Sequence, residues 1–268
     1  MRTSSSSLRS SLAELMAFAY RNYAVTKNEF YALFEMLFWP VVSLFTIGLL
    51  GEFLTLKSEE ISFILIGVIA LSVIQIVQID VTYVMLYDMW SMSLEYSVVS
   101  SAPFSKMVLG AWLFGVLRGF VAFVLLVISS TELFGLDYTL PVLGSALFVI
   151  GIFLGALIIG LVNCIFILVF GRRAEIFAWT LAAIVMIFCG IYYPVEILPE
   201  PFKTAGYLIP ITHFLEYFRS FYGYQPAFEN PLFVGFAESL VYLALLFYTA
   251  EMSLKRARKT GLVLKLSG

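Results

Sequence analysis

The chain has 268 residues, 61% of them hydrophobic and only 13% charged, with a mean hydropathy of +0.96. That is roughly half the charge of an average soluble domain, so the sequence reads as a multi-pass membrane protein and not as a soluble enzyme or a nucleic-acid binder. A formal net charge of -2 carries no information about partners, because in such chains the placement of Lys and Arg matters more than their sum.

The chain opens on the polar run Met1 to Ser11, and the first strongly apolar stretch begins beyond Phe30. A cleaved signal peptide needs an apolar core near its start, so the first hydrophobic helix is expected to stay as an anchor. From the end of the serine run onward Leu8, Leu12, Leu15 and Ala19 recur at helical spacing, with Arg9, Glu14 and Arg21 elsewhere on the wheel. This is the pattern of a helix lying in the membrane surface, and residues 1–31 are read as a cytoplasmic tail and interface helix.

Six apolar segments follow, at 32–53, 61–87, 107–130, 140–170, 174–194 and 231–254. They make 32–254 a transmembrane domain and leave 255–268 as a basic cytoplasmic tail. With both termini inside, Arg2, Arg9, Arg21, Lys27, Lys106, Arg172, Arg173, Lys255, Arg256, Arg258, Lys259 and Lys265 all fall on the cytoplasmic side; Lys57, Lys203 and Arg219 fall opposite. The acidic residues Glu52, Glu59, Glu60, Glu132, Asp137, Glu196, Glu200 and Glu229 share that outer side. An N-in, C-in topology is therefore expected.

The cytoplasmic link 88–106 is too long for a turn and too short for a domain. Ser91 or Ser93 can cap a short helix there, Leu94 and Val98 lie one turn apart on it, and Pro103 ends it. A structural interfacial helix explains the pattern as well as a contact surface does.

The outer stretch 195–224, with its approach from Gly190, is apolar but cut by Pro194, Pro199, Pro201 and Pro210. Prolines so close break a helix or cap its ends. The segment is expected to enter the membrane without crossing it, as short outward re-entrant helices covered by protein. Tyr192, Tyr193 and the aromatics that follow are either an anchoring belt at the interface or an outer gate with Pro194.

Charges inside spans are costly and are paired or functional. Asp80 and Arg118 stand roughly 12 and 18 Å from the cytoplasmic ends of their spans at 1.5 Å per residue, so an intramembrane ion pair is expected. Ser72, Gln75, Gln78 and Thr82 share one sector of the second span, away from Asp80, and either line a path or bind helices together. Gly151, Gly155 and Gly160 are read as packing positions, and Cys164 and Cys189, both in apolar runs, as reduced packing residues. Glu35 and Glu238 have no partner that the sequence identifies. No metal site is expected around the lone histidine, His213, which is read as a hydrogen-bonding cap on an outer helix.

Three stretches together, Phe34 to Gly51, Ser93 to Gly110 and Gly190 to Arg219, resemble the type-2 ABC exporter permeases, the membrane subunits that include O-antigen, teichoic-acid, nodulation-factor and drug-efflux permeases. The resemblance covers nearly the whole chain. It implies an all-α integral membrane fold of six transmembrane helices with an N-terminal amphipathic interface helix, a cytoplasmic coupling helix and short outward re-entrant helices before the last span.

It also implies a prokaryotic inner-membrane exporter of an amphipathic substrate such as a lipid, glycolipid, polysaccharide or drug. Such an exporter is a dimer of permease chains, a homodimer by expectation, on a cytoplasmic ABC ATPase dimer. Ser91, Ser93, Leu94, Glu95, Val98 and Pro103 occupy the coupling position, although the family usually shows a Gly-Thr-Leu-Glu core after charged residues, whereas here Ser91, Met92 and Ser93 precede Leu94 and Glu95. The chain has no G-x-x-x-x-G-K-[ST] phosphate loop, so it is read as a non-enzymatic subunit whose partner binds ATP and Mg. The alternative is a gradient-driven transporter or channel using Asp80 and Arg118.

Overall fold

The computed structural model describes residues 3–27, 30–93, 103–136 and 141–260. It is helical, with no strand among the described residues. In chain order the helices are α1 Thr3–Lys27, α2 Phe30–Phe53, α3 Ser58–Trp90, α4 Phe104–Phe134, α5 Val142–Phe170, α6 Glu175–Phe188, α7 Phe202–Tyr207, α8 Pro210–Ser220 and α9 Pro231–Thr260.

Among the described residues, α3, α4, α5 and α9 are long and apolar enough to cross a membrane, while Leu37–Phe53 and α6 are shorter apolar helices. At 1.5 Å per residue α6 rises about 21 Å, short of a hydrocarbon core of about 30 Å. It stops at Phe188 instead of continuing to Pro194, because Cys189 caps it and Gly190, at φ +64°, turns the chain. The apolar residues after that turn hide the break from any hydropathy reading.

Other boundaries also move. Helix α3 runs on to Trp90 and α4 begins at Phe104, so Asp88 and Lys106 lie within helices and the link between the two shortens to 91–103. Pro103 stands at the N-terminal boundary of α4, where a residue without an N–H costs nothing. The last helix continues through the basic residues to Thr260.

Local chemistry explains the ends. Glu60 reaches back to accept from the Lys57 N–H at 2.9 Å, and with Glu59 it places negative charge in the first turn of α3. Gly135, at φ +65°, closes α4: its N–H reaches the Thr131 carbonyl and that of Leu136 the Ser130 carbonyl.

Two helices form the centre. Most of the apolar length of α3 and α5 is enclosed by other helices, whereas α9 turns most of its surface outward. Around α3 the core divides into three clusters. One joins Val81–Met89 to Phe104, Leu161 and Ala250; one joins Ile66–Val77 to Phe148, Phe153 and Phe214; a third gathers Leu44, Leu65 and Leu126. The antiparallel connections gather Arg21, Lys106, Arg173 and Lys255 at one end, and Glu52, Glu59, Glu132, Glu196 and Glu229 at the other.

Candidate functional site

A half-enclosed groove of about 410 Å³ runs along α3 between α2 and α6. Ser72, Gln75, Gln78, Tyr83 and Tyr87 line it from α3, Trp39, Pro40 and Ser43 from α2, and Trp179 from α6; Thr26 and Arg118 also reach it. With Ile76 and Ile79, which also line it, the α3 positions recur every three or four residues, so one helical stripe carries amides in its upper half and aromatic rings in its lower half. Pro40 sits inside α2 and has no N–H to give the preceding turn, which is where a helix bends.

The polar residues of α3 divide between two jobs. Gln78 donates to the Ala178 carbonyl at 3.0 Å and accepts from Asn163 at 2.9 Å; Asn163 also reaches the Thr82 hydroxyl at 3.2 Å. This buried knot ties α3 to α5 and α6, and its three side chains are almost fully enclosed. Gln75, by contrast, is exposed on the groove. Thr82 is not brought to the groove.

Behind the groove, Arg118 donates to Asp80. The contact is possible because α4 comes very close to α3 at Gly115 and Gly119: a Cβ on Gly119 would lie 2.5 Å from Val77, and one on Gly115 would lie 3.2 Å from the Asp80 Cβ. Gly115-x-x-x-Gly119 is the small-residue spacing that lets membrane helices touch backbone to backbone. The Phe114 ring lies 5.6 Å from the Arg118 guanidinium.

At the basic end, α1 holds both helices that flank the 91–103 link. Arg21 donates to the buried Asp88 near the end of α3. Lys106, at the start of α4, donates to Glu14 at 2.5 Å and to Ser11 at 3.2 Å. Between these ties, α1 packs so tightly that a Cβ on Gly110 would meet Phe18 at 2.6 Å. Ser91 ends α3, with its hydroxyl donating to the Tyr87 carbonyl and meeting Ser93 at 2.8 Å. Ser91 is thus the C-cap of α3; Leu94, Glu95 and Val98, on which the expected short helix falls, lie outside the described residues.

At the acidic end, α8 is built into the bundle. Arg219, 3% exposed, donates to the carbonyls of Gly190 at 2.6 Å, Ile191 at 2.8 Å and Phe63 at 3.0 Å, and lies 3.5 Å over the Phe63 ring. The turn after α6 presses on α3 at Gly67, where a Cβ would lie 1.9 Å from the Ile191 oxygen. Burial pushes Arg219 down to about 9, so it keeps its charge at neutral pH. Burial also pushes the nearby Glu216 up to about 7.

His213 Nε2 donates to the Tyr207 carbonyl at the end of α7, at 2.9 Å, and lies 3.4 Å from Glu238 of α9. Burial lowers the His213 pKa, so the ring is neutral and the contact with Glu238 is not an ion pair. Tyr193 donates to the Ile187 carbonyl at 2.5 Å, Tyr192 packs half-buried against the core and Pro194 begins a short turn. None of these three lines the groove.

Compared with known protein families, residues 14–222 match the ABC-2 type transporter. The chain belongs to that family. A 62-residue stretch is 68% identical to an uncharacterized protein of Archaeoglobus fulgidus, covering 23% of this chain and 97% of that protein. ABC-2 membrane subunits normally work with a separate ABC ATPase, so this chain is a multi-pass transport subunit.

Several residues of this ABC-2 subunit escaped sequence reasoning. Asn163 is one polar residue in a long apolar run, and only the packing reveals Gln78 as its partner. Trp39 and Trp179 look like ordinary span aromatics until their helices meet across the groove. The Gly115-x-x-x-Gly119 spacing around Arg118 was the legible signal of a close helix crossing.

Proposed function

We propose that this chain is one half of an ATP-driven exporter, and that the groove along α3 is its half of the path. The carrying observation is the groove itself: exposed Gln75 and Trp179 with half-buried Ser43, open on one side, in a bundle that otherwise turns many large apolar side chains outward. Uncapped amides and hydroxyls facing lipid are costly, so a second copy of the chain would close the groove into a shared passage.

In this reading α2 and α6 complete a set of six spans with both termini cytoplasmic, the arrangement favoured by the basic end holding α1, Lys106 and the end of α9. Residues 91–103 then face the ATPase. ATP-driven closure of the ATPase pair displaces the link, and α1, tied to Asp88 and Lys106 on either side of it, carries the displacement toward Thr26 at the groove. Nucleotide shifts the equilibrium only through its preference for one of the two states.

Cysteine substitution at the groove edge tests the arrangement. Ser43→Cys and Trp179→Cys, in a chain whose native Cys164 and Cys189 are buried, should give cross-linked dimers in membranes. A chain that purifies as a monomer and forms no cross-link from either position contradicts the shared path.

A further inference from the structure

The groove joins two kinds of surface that a single ligand must satisfy together. Trp39 is 58% exposed and Trp179 54% exposed, on separate helices. On α3 the groove is lined by the Tyr83 and Tyr87 rings, with centroids 4.7 Å apart, and Trp90, outside the lining, continues the ladder 5.7 Å from Tyr87. Broad ring faces of this kind take flat apolar C–H surfaces as well as lipid chains.

Directly above the ladder the lining turns polar but not charged. Gln75 presents an exposed amide, and Ser72, whose hydroxyl donates to the Val68 carbonyl at 2.8 Å, retains lone pairs to accept with. Ser43 faces them from α2. Gln78 is already committed to Ala178 and Asn163.

Charge narrows the ligand further. Arg118 is the one cation among the described lining residues, and it is paired with Asp80. An anionic headgroup would have to compete with that carboxylate. No carboxylate lines the groove among the described residues, so a cationic drug would leave its charge uncompensated in a low-dielectric site.

What remains is a neutral ligand with many hydroxyls and apolar ring faces. A sugar ring has this form: its C–H faces stack on Trp and Tyr, and its hydroxyl edge pairs with amides and hydroxyls. The volume of about 410 Å³ suits a small-molecule headgroup. On the two helices that flank the groove, α2 and α6, exposed Phe38, Phe45, Ile176 and Ile184 offer an apolar surface to an acyl chain.

Resting on the reading of the groove as the transport path, we propose that it takes the uncharged glycosyl headgroup of a membrane lipid, with the acyl chains left in the bilayer. Gln75, Ser43 and the Trp39 and Trp179 rings set that specificity.

The test uses the full chain in phosphatidylcholine nanodiscs. Intrinsic tryptophan fluorescence follows titration with monoglucosyl diacylglycerol, and with diacylglycerol, phosphatidic acid and tetraphenylphosphonium as probes of tail, anion and cation binding. The glucosyl lipid should saturate at a concentration at least about tenfold below each of the others, the worth of one well-made hydrogen-bonded contact. Gln75→Leu should abolish the preference while leaving thermal unfolding unchanged, since this exposed side chain supports no packing. Tyr193→Phe, outside the groove, should keep it.

Equal binding of diacylglycerol, tighter binding of phosphatidic acid or of the cation, or a preference untouched by Gln75→Leu each overturns the assignment. Co-purification with an ABC ATPase is scored on the same preparation. An assembled complex without sugar preference removes only this inference, whereas a chain that recruits no ATPase removes the exporter reading itself.

Discussion

Removing the acid from the Asp80–Arg118 pair should cost far more than removing the base. Asp80→Asn leaves a guanidinium that cannot shed its proton, confined between the Phe114 ring and the close crossing at Gly115. Breaking a buried pair from one side costs about 3–5 kcal/mol. The 11% exposure of Arg118 on the groove favours the lower figure. Arg118→Gln instead leaves a carboxyl group that can take up a proton and become neutral, so the expected loss is about 1–2 kcal/mol, that of unmet hydrogen bonds. The double substitution Asp80→Asn with Arg118→Gln pairs two amides and should be more stable than Asp80→Asn alone. Thermal unfolding of the purified chain, followed by loss of the monodisperse species, reads the series. At roughly 2–4 °C per kcal/mol for a chain of this size, Asp80→Asn should fall on the order of 10 °C. Equal losses from the two single changes, or losses that simply add in the double, would show that Asp80 and Arg118 are not coupled in this way.

Arg219→Met strips donors from three carbonyls, each charge-assisted bond being worth about 1.5–3 kcal/mol; hydrogen exchange should rise across 189–220 while α5 keeps its protection, and Arg219→Lys should recover part of the loss. The Lys106–Glu14 contact is partly exposed and contributes at most about 1 kcal/mol, so Lys106→Glu should leave unfolding nearly unchanged. In a complex with its ATPase the same change should uncouple hydrolysis from substrate, and adding Glu14→Lys should restore the coupling. Glu216, raised from 4.5 to about 7, holds its proton more tightly folded than unfolded. Its contribution to stability is therefore complete below about 4.5 and is lost as pH rises through about 7. Exchange protection around α8 should fall over that window, and Glu216→Gln should flatten the dependence.

The parts of this molecule that composition dictates were legible from the residues alone: an apolar helical bundle, segregated charge and a proline-cut segment near its end. Family resemblance was legible too, because its motifs lie in contiguous stretches. What depends on how helices cross was not. The continuous apolar run from Ile184 to Tyr193 gave no sign that α6 ends at Phe188, since the turn at Gly190 needs only a positive φ and no polar residue. Arg219 looked like an outer-loop cation, but the i, i+4 face it shares with Leu215 turns inward and takes it along. The division of labour between Gln75 and Gln78 was equally hidden. Both sit on the same side of α3, and only the arrival of Asn163 from α5 and the Ala178 carbonyl from α6 engages one and leaves the other open.

This subunit is expected to move cargo only when a separate ATPase drives it. Purified chain is placed in phosphatidylcholine vesicles containing a fluorescent monoglucosyl lipid, with and without the ABC ATPase that co-purifies with it. The lipid should move between leaflets only when the ATPase, ATP and Mg are all present. Movement by the chain alone, driven by an imposed proton or ion gradient and lost on Asp80→Asn, would contradict it and point to a carrier built on the Asp80–Arg118 pair.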